Sequence, residues 1–317
     1  MKVVRETAPA KLNLFLHLIG RRDDGYHEID SLFVFLDLAD TLEARPYVND
    51  GRAEHKDRLR ISGPWAAFLD PPCEVSDNLI LRALDEFRSR IAPLPPLDLN
   101  LHKRIPVAAG LGGGSADAAA ALRIAARLTD THLDGQTMAD LALALGADVP
   151  ACLANTPQWI GGIGEHRRPV RLPRVLSAAG VLLVNPRCPV NTAAVFGRFR
   201  DSGAAFRPPL TAMPWQGATD ENVLSALARM TFNDLEMPAV EVAPEVGEVL
   251  AELRRPELGA RLARMSGSGG TCFALFDNLE ASRRAARQVT EQHPDWWTMT
   301  CRMMTSMTPA LVGRTGD

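Results

Sequence analysis

Four glycines crowd into the five residues Gly110–Gly114, and behind them Ser115-Ala116-Asp117-Ala118-Ala119-Ala120 opens a segment, Ala116–Arg127, made almost wholly of strong helix formers. This junction constrains the fold more than any other stretch of the chain. Glycine at such density is entropically costly unless the backbone must take left-handed dihedrals or let another group approach closely. The first amides of the helix that follows lack intrahelical acceptors, and the helix dipole places about half a positive charge beside them. A glycine loop that feeds a helix N-terminus is therefore an anion site, with phosphate its usual occupant, and Ser115 adds a hydroxyl donor. Two common phosphate loops do not fit. No Lys follows the glycines as in GxxxxGK[ST], and Gly110-x-Gly112 has Ser115 where GxGxxG requires its third glycine.

The rest of the chain mixes strands and helices. Leu12, Leu14, Leu16 and Leu18 alternate with Lys11, Asn13, Phe15 and His17, so the spacing predicts a strand with the leucines on one face and Lys11 and Asn13 on the other. A polar turn, Arg21–Gly25, leads to Tyr26 and His27, and Ser31–Leu38 reads as a second strand. Tyr47–Arg58 reads as a surface loop. Ser76-Asp77 caps a predicted helix with apolar positions Leu79, Ala83, Leu84, Phe87 and Ile91. Leu97, Leu99 and Leu101 alternate as a strand, Gln136–Leu145 reads as a helix, and strand-like runs return at Val181–Val184 and Cys272–Phe276. Without a regular βαβ beat, this order predicts an α+β fold, and 317 residues suggest two domains. Arg302–Asp317 carries no pattern.

Composition narrows the function. A net charge of −3 gives no electrostatic footprint for nucleic acid. Met1–Ala10 has no apolar signal core, and Leu141–Ala154 is too short for a membrane span and contains Asp148, so a cytoplasmic protein with no membrane partner is expected. The scattered cysteines Cys73, Cys152, Cys188, Cys272 and Cys301 form no CxxC pair and read as buried thiols in a reducing compartment. Only Lys2, Lys11, Lys56 and Lys103 are lysines, against 31 arginines, so a lysine within an apolar segment is a pointed choice. Lys11 is such a residue, and it signals either a strand edge or a site. Asp148 is a lone carboxylate between apolar runs; it can cap the helix that Pro150 begins, serve as a base, or do both.

Pro106–Ala120 resembles the phosphate-binding motif of the galactokinase, homoserine kinase, mevalonate kinase and phosphomevalonate kinase (GHMP) superfamily. Within it, Ala8–Leu14, Gly25-Tyr26-His27-Glu28, Gly146–Pro150, Gly162–Glu165, Phe232–Glu236 and Ser266–Thr271 are similar to motifs of the kinases of 4-diphosphocytidyl-2-C-methyl-D-erythritol in the non-mevalonate route to isoprenoids. The resemblance implies a two-domain fold, with a ribosomal protein S5 domain 2-like unit at 1–165 that binds ATP and a ferredoxin-like unit at 166–317 that completes the substrate pocket. It implies transfer of a phosphoryl group from ATP, with Mg2+ accompanying the nucleotide and no dedicated metal ligands, to the 2-hydroxyl of the CDP-linked substrate. Nucleotide would be held by Pro106, Val107, Ala108, Ala109, Gly110, Leu111, Gly112, Gly113, Gly114, Ser115 and Ala116. Asp148 would act as base and Lys11 as the cation beside it. Tyr26 and Phe196 would sandwich the cytosine, His27 would read its polar edge, and Asn13 would meet the erythritol hydroxyls. The enzyme would be a monomer or homodimer. Two alternatives stay open: a kinase for another small alcohol, of the homoserine or mevalonate type, and a nucleotide sensor without turnover on the same scaffold.

Overall fold

A computed structural model describes residues 3–47, 56–69, 78–132 and 136–305. Among these, two sheets carry the architecture. The first has six strands, β1 (Val4–Arg21), β2 (His27–Pro46), β3 (Arg58–Ser62), β4 (Leu97–His102), β5 (Gln158–Gly162) and β6 (His166–Pro169). β1 and β2 form a long antiparallel hairpin. On its other edge β2 pairs with β4 along Thr41–Pro46 and with β5 along Ile29–Phe33. β3 extends the sheet parallel to β4, and β6 extends it antiparallel to β5.

The second sheet has the order β10 (Trp297–Arg302), β7 (Gly180–Asn185), β9 (Cys272–Phe276), β8 (Leu262–Met265), and every pair is antiparallel. Helices separate β7 from β8 and β9 from β10, which makes this the split βαβ arrangement of ferredoxin-like domains. In chain order the helices are α1 (Leu79–Arg90), α2 (Gly113–Thr129), α3 (Gln136–Leu145), α4 (Val149–Ala154), α5 (Arg174–Ala178), α6 (Thr192–Asp201), α7 (Val223–Met230), α8 (Glu236–Val242), α9 (Pro244–Leu253) and α10 (Leu279–Gln292).

α2 is the centre of the first half. Every residue from Ala116 to Ala126 is buried, so its alanines are explained by close packing from several sides: β1, α1 and α4 all pack against it. A second apolar cluster lies between the sheets, where Leu12, Leu14 and Phe15 meet Val181, Leu183 and Phe273. Leu16 and Leu18 belong to a third cluster with Leu182, Val184 and Phe276. The leucines of β1 thus do not share one face as their alternation predicts. Irregularities in pairing between Asn13 and Phe15, and between Leu18 and Gly20, re-aim the strand.

Other expectations also change. β2 runs well beyond Ser31–Leu38, because its polar outer half is held in a ladder with β4. α2 begins at Gly113, three residues before the alanines, with Gly113 lying against Ile105 and Lys103 and Gly114 against Leu79. Ser76, Asp77 and Cys73 lie outside the described residues; the α1 cap there is Asn78, whose side chain accepts from the Ile80 amide. Of the proposed Tyr47–Arg58 loop, 48–55 lie outside the description and Arg58 already belongs to β3. Cys188 is only half-buried, whereas Cys152, Cys272 and Cys301 are buried. Residues from Arg302 to 305 are structured: the Arg302 amide donates to Asp37, and the Met304 amide donates to the Phe35 carbonyl, closing the middle of β2. Residues 306–317 lie outside the description. No described helix is long and apolar enough to cross a membrane.

Candidate active site

Lys11 sits in β1, 5% exposed, in a cage that leaves its ammonium little freedom. Its Nζ donates to Asn13 Oδ1 at 2.8 Å, lies 4.6 Å from the centre of the Phe33 ring and is 3.1 Å from Asp148 Oδ2. Asn13 is itself held, its amide nitrogen donating to Ser31 Oγ at 2.9 Å. A buried ammonium without such partners would cost several kcal/mol, so the pairing is a condition of the lysine being there. Asp148 precedes α4, but its side chain makes no capping hydrogen bond; it turns to Lys11 instead, and the cap expectation fails on that point.

The glycine loop lies directly over this pair. The Lys11 amide donates to the Leu111 carbonyl at 2.9 Å. Gly112 has φ 64°, and a Cβ there would stand 2.6 Å from Lys11 Cγ, so only glycine fits. Gly110, φ 73°, presses equally close to the carbonyls of Ser266 and Gly269, and Ser266 Oγ donates to the Gly110 carbonyl. The 266–271 turn therefore braces the loop from the second sheet.

Two cavities meet at the loop. One, of about 580 Å³, is lined by Lys11, Asn13, Tyr26, His27, Phe33, Asp148, Thr192, Phe196 and Gly267–Gly269. The other, of about 360 Å³, is lined by Leu69, Asn78–Ile80, Lys103, Pro106–Gly110, Gly112–Ser115 and Asp117. Ala108, Gly110, Gly112 and Ser115 line both. The amides of the first turn of α2, a 17-residue helix, stand at this junction. The arrangement suits an anion that reaches from the smaller cavity into the larger, with its end beside an ammonium and a carboxylate.

The far end of the larger cavity carries the aromatic residues Tyr26, His27 and Phe196. His27, not Tyr26, packs on Phe196, with ring centres 5.1 Å apart, while Tyr26 is 63% exposed. Burial lowers the His27 pKa below its ordinary value, helped by Arg21 and Arg200, and its Nε2 is buried without a partner. Leu111 and Ala116 of the expected nucleotide set are buried behind the loop and are absent from both linings. Among the described residues, no three or more His, Cys, Asp or Glu side chains are grouped to hold a metal ion.

The sequence reading missed the smaller cavity's far wall and the buried cluster under the loop. There Lys103 Nζ donates to Asp117 Oδ2 at 2.7 Å and to Asp40 Oδ2. One signal was available, since Lys103 is one of four lysines and follows directly on a strand.

The GHMP kinases N terminal domain family model matches residues 78–156, and the GHMP kinases C terminal model matches 217–295. A 4-diphosphocytidyl-2-C-methyl-D-erythritol kinase of Methylorubrum extorquens is 43% identical over 96% of this chain and 100% of its own length. One of Rhodospirillum rubrum is 44% identical over 98% of this chain and 96% of its own. A crystal structure of 4-(cytidine 5'-diphospho)-2C-methyl-D-erythritol kinase superposes with a TM-score of 0.73 at 32% identity, covering 94% of this chain and 99% of that one. A homoserine kinase of Cytophaga hutchinsonii, at 17% identity and a TM-score of 0.69, shares the fold.

Proposed function

Because the chain belongs to the 4-diphosphocytidyl-2-C-methyl-D-erythritol kinases of the GHMP family, we propose that its two cavities receive ATP and a CDP-linked alcohol on opposite sides of the glycine loop. The enzyme phosphorylates 4-(cytidine 5'-diphospho)-2-C-methyl-D-erythritol with ATP. The reaction converts the 2-hydroxyl to the 2-phosphate and releases ADP.

One observation carries the assignment of residues. The Lys11–Asp148 pair stands at 3.1 Å beside the loop residues that both cavities share. The nucleotide lies in the smaller cavity, its phosphates on the amides of Gly112–Ser115 and the Ser115 hydroxyl. The 2-hydroxyl lies between Lys11 and Asp148. As its oxygen bonds to the terminal phosphorus, Asp148 takes the hydroxyl proton, Lys11 stabilises the oxygen, and ADP leaves with the bond electrons. Asp148 is the partner with solvent access, its side chain 31% exposed against 7% for Lys11, so it can return the proton to water. Magnesium fits as a companion of the nucleotide: the loop offers donors rather than carboxylates, so its ligands would be the phosphates themselves, whose charge it would neutralise. Asn13 serves chiefly to aim Lys11. Tyr26 and Phe196 flank the cytosine, and His27, kept neutral, reads its edge. Residues 1–165 provide the nucleotide cavity and the Lys11–Asp148 pair, while 166–317 provide Thr192, Phe196 and the 267–269 turn. We propose a monomer or homodimer, which sedimentation would decide.

The test is turnover with magnesium-ATP, followed by ADP release. The CDP-linked alcohol is expected to be used far better than homoserine or mevalonate. Equal or better use of either small alcohol would overturn the assignment of the larger cavity.

A further inference from the structure

The loop rests on a buried charge cluster whose count is unbalanced. Lys103, Asp40 and Asp117 are all nearly inaccessible, with side chains 4%, 0% and 6% exposed. Asp40 is fully engaged: Oδ1 accepts from the Arg104 and Ile105 amides at 2.5 and 2.8 Å, and Oδ2 accepts from Lys103. Asp117 accepts from Lys103 through Oδ2 only; its Oδ1 is buried and has no partner, and the residue is one of those that line the smaller cavity. With both carboxylates ionised, one ammonium leaves a net negative charge in a low-dielectric wall, against a cavity read here as the seat of a polyanion. That sign is wrong for nucleotide binding.

We propose that Asp117 binds the nucleotide as a neutral carboxylic acid, with its proton on Oδ1 donating into the smaller cavity, so that each nucleotide bound brings one proton with it. The inference rests on the smaller cavity being the nucleotide site. With Asp117 protonated, the cluster is neutral, Oδ2 still accepts from Lys103, and the orphan oxygen becomes a donor. A carboxyl held neutral by an apolar site so that it can donate is a known device. The electrostatics agree: burial raises the Asp117 pKa, more than Lys103 lowers it, and Asp40 adds to the rise, to about 7. The groups that face Asp117 are Lys103 after β4, Asp40 on β2 and the Cys152 thiol on α4. Burial holds that thiol far above neutral pH, and the carboxylates outweigh burial to keep Lys103 charged, so neither titrates in the window.

The experiment is calorimetric titration of the full chain with ADP, in buffers of differing ionisation enthalpy, above about pH 8, where the nucleotide's own phosphates are fully ionised. Uptake approaching one proton per ADP is expected, with affinity falling by up to about tenfold per pH unit above the carboxyl's pKa. In Asp117→Asn the amide mimics the neutral acid, accepting from Lys103 and donating into the cavity. This variant is expected to bind ADP with the wild type's low-pH affinity at every pH and to take up no proton. Zero uptake by the wild type, or an unchanged pH dependence in Asp117→Asn, would overturn the inference. Leu79→Trp, which fills the smaller cavity from α1, separates the two readings. If it leaves ADP affinity intact, the nucleotide site itself is misplaced and both readings fall. If it abolishes binding while uptake is absent, only the protonated Asp117 is wrong.

Discussion

Lys11 and Asp148 differ in what their surroundings permit. Lys11 is fixed by Asn13, Phe33 and the Leu111 carbonyl, whereas Asp148 keeps one side open to solvent. The lysine is thus held in place, and the aspartate, the proposed base, is the partner that solvent reaches. Asp148→Asn keeps the shape and removes the proposed acceptor of the hydroxyl proton. Its kcat is expected to fall by roughly 10²-fold or more, with ATP affinity little changed, in steady-state assays alongside nucleotide titration. Near-normal kcat would remove Asp148 from the chemistry. His27 gives a second prediction at this scale. Because burial holds its pKa below 6.5, the ring stays neutral at and above neutral pH. KM for the CDP-linked substrate should be level from about pH 7 upward and rise only as pH drops below the ring's ordinary value, while KM for ATP does not follow it. A KM that rises toward alkaline pH would contradict a neutral ring at that edge.

The glycine loop and α2 show how far an element can be read from its residues. That a glycine loop with left-handed backbone runs straight into a buried helix was legible, because glycines before an alanine helix leave few alternatives. Which glycine is indispensable was not. Gly112 is constrained by Lys11, a hundred residues away in sequence, and only the folded chain brings them together. The same limit explains β1 and β2. Lys11 and Asn13 share a face as the alternation predicts, and Asn13 bonds Lys11, but pairing irregularities divide the leucines between two cores. Asp148 was legible as a lone carboxylate, whereas its choice of Lys11 over a capping bond depends on where β1 lies. Asp40 and Asp117 went unread because each looks like an ordinary polar position until Lys103 is placed between them. Gly112→Ala tests the element. Left-handed backbone costs alanine about 1–2 kcal/mol, and the added methyl must also displace Lys11. Thermal denaturation should show a loss of at least that order, and kcat should drop by about tenfold or more as the pair shifts. A variant with wild-type kcat would mean that the close approach has no bearing on the chemistry.

At the scale of the whole molecule, β1 is the joint. It pairs with β2 in the first sheet, while Leu16 exchanges backbone hydrogen bonds with Phe232 and Asp234 of the second half, both 2.9 Å long. His17 lies within this joint, where its Nε2 accepts from the Phe232 amide and its Nδ1 is buried unpaired. Burial lowers the His17 pKa below 6.5. The unfolded chain therefore binds more protons than the fold below that pH, and stability is lost as pH falls through it. The melting temperature should decline from about pH 7 toward pH 5, and less steeply in His17→Gln, as followed by calorimetry. Equal slopes would take His17 out of the acid response. The joint matters because it carries Lys11 to the place where both cavities end. The most direct measurement is a crystal structure with a non-hydrolysable ATP analogue and the CDP-linked alcohol bound together. The triphosphate is expected in the cavity between α1 and the glycine loop, its last phosphate on the Gly112–Ser115 amides, and the 2-hydroxyl between Lys11 and Asp148. A triphosphate lodged elsewhere, or a hydroxyl beyond reach of both side chains, would contradict that arrangement.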